Sequence, residues 1–110
     1  MDIPKLSEAT FQKEVLEAGT PVLVDFTAVW CQPCKMLDPI VKQLAEDWNG
    51  KVKVVKLDVD SNGQSALQYG VMSIPTLIVF KNGQPVERIV GFMPKAKLLG
   101  KITPHLPQQA

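Results

Sequence analysis

What this 110-residue chain has little of already narrows its class. It carries two cysteines, one histidine and one tyrosine, and 12 Lys and Arg against 11 Asp and Glu leave a net charge of +1. Near-neutrality gives no electrostatic reason to meet DNA or RNA, whose binders gather a basic surplus on one face. The mildly basic second half, with 5 basic residues and 1 acidic residue over 61–110, reads as ordinary solvated surface. The longest apolar runs, such as Leu77-Ile-Val-Phe80, fall far short of the roughly 20 residues that cross a bilayer. The opening Met1-Asp2-Ile3-Pro4-Lys5 has an acid where an export signal carries basic residues, and no apolar stretch of about 7 to 15 residues follows. The expectation is a soluble, cytoplasmic protein with no membrane partner. There is no repeat, no low-complexity tract, no linker and no Gly-rich dinucleotide loop.

What is present is an ordinary globular composition, 45% hydrophobic and 21% charged, and it reads as one domain over 1–110. A chain of this length buries on the order of two thirds of its unfolded surface, so it needs no metal or staple to fold. Ser7 is placed to cap a first helix that turns Phe11 and Val15 or Leu16 inward and ends at Gly19. Val22-Leu-Val-Asp-Phe26 is nearly continuous in apolar residues, the pattern of a strand covered on both faces.

A long helix is expected from about Cys31 to Trp48, with Leu37, Ile40, Val41, Leu44, Ala45 and Trp48 on one face, a kink at Pro39 and a stop at Asn49-Gly50. Val52–Val59 reads as a second buried strand, and Ser61–Tyr69 as a short helix closed by Gly70. Strand, helix, strand is a right-handed crossover. Asn82-Gly83 joins Thr76–Phe80 to Val86–Val90 as an antiparallel hairpin, because both turn residues tolerate positive φ. A final helix begins with Pro94 in its first turn, carries Leu98, Leu99 and Ile102, and ends early at Pro104 and Pro107. The sum is an α/β fold: a mixed sheet with helices on both faces.

Cys31 and Cys34 sit between a buried strand and its helix. Residues three apart in a helix have Cα atoms roughly 5 to 6 Å apart, a separation that a disulfide spans without refolding. At the helix N-terminus, unpaired amides and the positive dipole end favour a thiolate on Cys31. Cys34, one turn in, is more shielded and keeps its proton longer. Cys31 is therefore the attacking sulfur and Cys34 the resolving one, with Pro33 and Trp30 shaping an exposed turn.

Three other uses of the pair fit less well. Inert core cysteines would not need the shaped turn. Zinc needs four ligands, and beyond the two thiols there is only His105, between prolines at the far end. A permanent disulfide over so small a loop removes little unfolded-state entropy. Asp25 is a separate anomaly: a carboxylate inside an apolar strand is costly to desolvate, its pKa is raised, and such groups gather at functional sites.

Taken together, Val24-Asp-Phe26, Trp30-Cys-Gln-Pro-Cys-Lys35, Ile74-Pro-Thr76 and Phe80-Lys-Asn-Gly83 resemble the thioredoxin family, and the likeness runs over nearly the whole chain. It implies a central mixed five-stranded sheet flanked by four helices. It implies that Asp25 lies beneath Cys34 and relays its proton, with Lys56 nearby; a buried polar pair kept for structure is the competing account. Pro75 is expected trans on sequence grounds alone, since about 95% of X-Pro bonds are. The resemblance instead implies a cis bond facing the disulfide, with the Ile74 backbone pairing to an extended substrate.

The resemblance also places Trp30, Gln32, Pro33, Val59, Ile74, Pro75, Val90, Gly91 and Phe92 on a substrate-landing surface, although core packing explains Val59 and Val90 equally well and a turn explains Gly91. Gln32 stands where Gly is usual, Thr27 where an aromatic is common, and Ser73 where Gly is frequent.

The implied activity is protein-disulfide reduction by a monomer with no bound cofactor and no metal, recycled by a separate flavin-dependent thioredoxin reductase fed by NADPH. The alternatives are a binding or chaperone-like module whose thiols are dispensable, or an oxidase or isomerase of similar fold.

Overall fold

The computed structural model describes residues 3–107; Met1, Asp2 and residues 108–110 lie outside the described residues. One sheet contains five strands, β1 (Lys5–Leu6), β2 (Val22–Thr27), β3 (Lys53–Asp58), β4 (Thr76–Lys81) and β5 (Gln84–Val90), in the order β1-β3-β2-β4-β5. Among the described residues four α-helices accompany it: α1 (Glu8–Phe11), α2 (Gln32–Trp48), α3 (Gly63–Gln68) and α4 (Lys95–Ile102). This is the mixed five-stranded, four-helix thioredoxin fold that the resemblance implies.

β2 is the middle strand, parallel to β3 and antiparallel to β4, and this position explains its unbroken burial from Val22 to Phe26. Side chains alternate along it. Val22, Val24 and Phe26 join Phe11, Val15, Val55, Leu57, Ile78 and Phe80 on one face. Leu23 joins Leu37, Val41, Leu44, Leu77, Ile89, Leu98 and Ile102 on the other, under α2 and α4. By the same alternation Asp25 points to the α2 side.

Several expectations shift when placed in three dimensions. The first helix is α-helical for a single turn and continues as a π-helical stretch, Gln12–Leu16; the Ser7 N–H is held by Thr10 Oγ1 at 3.1 Å. α2 is one helix with Pro39 inside it and, as the sequence indicates, closes at Asn49 and Gly50, both at positive φ. Pro94 caps α4 from outside rather than lying in its first turn, and Pro104 falls in a 3₁₀ turn, Thr103–His105. β1 was not legible: two residues show no periodicity, and Leu6 is placed by its pairing with Leu57 and by packing on the core beneath. The hairpin forms at Asn82-Gly83, with a register shift at Val79/Phe80 where Pro85 enters β5.

Candidate active site

The carboxyl end of β2 leads through Ala28–Trp30 into α2, which puts Cys31 at the helix N-cap with φ −90° and ψ 110°. Its Sγ accepts a hydrogen bond from the Cys34 backbone N–H at 3.2 Å, so a sulfur fills the role that a serine or aspartate oxygen usually has at this position. The same N–H and the positive helix end stabilise charge on that sulfur once the pair is reduced. Cys31 and Cys34 form a disulfide with Cα atoms 5.2 Å apart. Pro33 inside the first turn lacks an N–H at a point where none is needed.

One expectation needs correcting. The turn itself is exposed, with Trp30 at 65% and Gln32 and Pro33 open to solvent, but Cys31 is only 4% exposed against 2% for Cys34. Ala28 clusters with the two cysteines, and Val59 and Ile74 pack against that cluster. In the disulfide state, shielding does not distinguish the two cysteines. The N-cap position of Cys31 does.

Of the residues expected on the landing surface, three share one groove. Trp30, Val59 and Ile74 line a groove of about 370 Å³ together with Val71, Met72 and Ser73. The Ile74–Pro75 bond is cis, as the resemblance implied and the sequence alone did not. Val90 pairs with Thr76 at the end of the sheet, and the Gly91 N–H donates to the Pro75 carbonyl at 2.8 Å. Gly91 has φ +88°, a conformation that side chains resist, so the turn requirement is real. Val90 and Phe92 are exposed, which sets aside core packing for Val90; Val59 is half-buried against both the sulfurs and the apolar core.

Sequence reasoning missed Met72, which is 96% exposed on this groove and has no periodicity to announce it. It also missed Asp60, whose Oδ2 accepts the Trp30 indole N–H at 2.7 Å and holds the exposed ring in place. The signal was an Asx turn: Asp58 Oδ1 accepts the N–H groups of Asp60 and Ser61 at 2.8 and 3.2 Å.

A separate cavity of about 290 Å³ is bounded by Cys34, Asp38, Lys56 and neighbours. Asp25 is 1% exposed, and neither carboxylate oxygen has a hydrogen-bond partner. Burial, then repulsion from Asp38, pushes its pKa up to about 7, with Lys56 opposing. Lys56 stands beside Asp25 in the β2–β3 register, as expected, yet its Nζ is 3.1 Å from Asp38 Oδ1. By distance that contact is an ion pair; its angles make no hydrogen bond. Asp38 was not singled out from the sequence, although it follows Cys34 by one helical turn. His105 joins no cysteine and instead contacts Glu87 Oε1 at 2.8 Å. Among the described residues no cluster of three or more His, Cys, Asp or Glu is arranged to hold a metal, and no helix is long and apolar enough to cross a membrane.

Comparison with known proteins agrees with this geometry. The Thioredoxin family model matches residues 2–104. A thioredoxin of Staphylococcus aureus is 53% identical over 106 residues, 96% of this chain and 100% of that protein. Thioredoxin 1 of Nostoc sp. is 49% identical over 102 residues, covering 93% and 95% of the two chains. A thioredoxin of Synechocystis sp. is 48% identical over 103 residues, covering 94% and 96%.

Proposed function

This chain belongs to the thioredoxin family and is a dithiol protein-disulfide reductase, and from that premise we propose how its residues divide the work. The Cys31 thiolate attacks one sulfur of a substrate disulfide. That S–S bond breaks, one substrate thiolate leaves and takes up a proton, and a mixed disulfide joins Cys31 to the substrate. Cys34 then loses its proton to the Asp25 carboxylate and attacks Cys31 Sγ. The second substrate thiolate leaves, the Cys31–Cys34 disulfide forms, and two electrons have passed to the substrate.

The observation that carries this reading is the Cys31 sulfur at the N-cap, paired with Cys34 and bonded by the Cys34 N–H. Support for the Asp25 role is its position in β2 on the α2 side, with a carboxyl that is part-protonated near neutral pH. Lys56 tunes that carboxyl. Trp30, Gln32, Pro33, Val59, Ile74, Pro75, Val90, Gly91 and Phe92 receive the substrate, an exposed apolar rim suiting varied protein segments. The Ile74 backbone pairs with the substrate strand. As a single-domain monomer, the protein works in the cytoplasm, where its oxidised form is returned to the dithiol by a thioredoxin reductase drawing on NADPH.

The test is dithiol-dependent reduction of insulin. Cys31→Ser is expected to abolish it, and activity equal to wild type would favour a binding module instead. Asp25→Ala is expected to fold and to release the mixed disulfide slowly; unchanged exchange kinetics would remove the relay.

A further inference from the structure

Near Cys34, two carboxylates, those of Asp25 and Asp38, compete for the Lys56 ammonium. Asp25 on β2 is buried with no hydrogen-bond partner, Asp38 stands on α2 one turn past Cys34 and lines the cavity there, and the Lys56 Nζ sits against Asp38 at 3.1 Å. Lys56 is the register neighbour of Asp25, so its stem starts beside that carboxyl and its charge ends on another. We propose that Asp38 is a positioning residue of the dithiol site: by holding the Lys56 ammonium, it withholds that charge from Asp25 and so sets the pH range over which Asp25 exchanges a proton with Cys34.

The physical argument rests on placement. An ammonium within about 4 to 6 Å of a carboxylate favours its charged form, and a second carboxylate at similar range opposes it. Asp38 does both kinds of work in one direction: it adds a negative charge near Asp25 and engages the positive one. The other charged groups at the cavity are Lys35 on α2, Asp58 on β3 and Lys5 on β1, while β4 presents the apolar Leu77 beside Asp25. Of all these, the charges that act on Asp25 are those of Asp38 and Lys56. Asp38 is partly exposed and paired with Lys56, so the effect proposed for it on Cys34 is exerted through Asp25.

This inference rests on the proton-relay reading of Asp25, and the two can fail separately. The carboxyl titration of Asp25 is followed by carbon-detected NMR in the oxidised wild type and in Asp38→Asn, with Asp38→Ala as the second variant if the first does not fold. The midpoint is expected to fall by about one pH unit when the Asp38 charge is removed, and Asp38→Glu is expected to titrate with the wild type. Lys56→Gln is expected to raise it. In the Lys56→Gln background the Asp38→Asn effect should shrink, because no ammonium remains to be freed. An unmoved midpoint in Asp38→Asn overturns the proposal, and so does an equal shift with and without Lys56, which would leave simple repulsion. Mixed-disulfide release by Asp25→Ala tests the relay independently of either result.

Discussion

Within three residues β2 carries two kinds of buried side chain. Val24 and Phe26 face a core of Phe11, Phe80 and their neighbours, in which Phe80 meets Phe11 and Tyr69 edge-on with ring centroids 5.7 and 5.1 Å apart. Asp25, between them, faces the α2 side and finds no hydrogen-bond partner. The first face follows the rule that buried apolar surface stabilises a fold. The second breaks it with a buried carboxyl whose charged neighbours are Asp38 and Lys56. A strand so well anchored on its apolar face tolerates a destabilising carboxyl on the other, and that carboxyl is the one to which the proposed function gives the proton relay.

The comparison can be pressed from either face. Phe26→Ala removes a fully buried ring from the dry side and is expected to destabilise by about 3 to 5 kcal/mol, read by denaturant unfolding; a loss under about 1 kcal/mol would mean the two faces do not differ as described.

Asp25→Asn should act in the opposite direction, and its sign follows from the raised pKa. Below about pH 4 the carboxyl is protonated in both folded and unfolded chains and contributes nothing. As pH rises toward 7, the unfolded chain gives up its proton first, so wild-type stability falls through that window and stays low above it. Roughly three pH units at about 1.4 kcal/mol each bound the effect at about 4 kcal/mol. Oxidised Asp25→Asn is therefore expected to be more stable than wild type at alkaline pH and equal to it near pH 3.5. A pH-independent difference would contradict the assignment.

The smallest effect is expected on the rim. Asp60→Ala frees the Trp30 indole and should cost about 1 kcal/mol or less, while raising KM for a protein disulfide more than it lowers kcat and altering tryptophan fluorescence. Unchanged fluorescence would show that Asp60 does not hold the ring.

Much of this was legible in the residues because it is local. The C-x-x-C spacing, the Asn49-Gly50 stop, the Asn82-Gly83 hairpin and the doubly covered β2 all follow from periodicity and turn chemistry over a few positions. Asp25 was legible as a violation of its own strand's pattern. What escaped depends on groups brought together from afar: Asp38 gains its meaning only beside Lys56 and Asp25, Asp60 only beneath Trp30, and β1 only by pairing with β3. The cis Ile74–Pro75 bond is of the same kind, since local energetics favour trans and the resemblance, not the local sequence, pointed to cis. The burial of Cys31 was missed because its exposed neighbours in sequence hide the Val59 and Ile74 side chains that pack against its cluster.

The division of labour between the two sulfurs is tested most directly by trapping. Reduced Cys34→Ser protein is mixed with a protein disulfide, and the adduct is mapped by mass spectrometry. A mixed disulfide on Cys31 that persists in this variant and is fleeting in wild type is the predicted result. An adduct that forms as fast on Cys34 in the Cys31→Ser protein would contradict it.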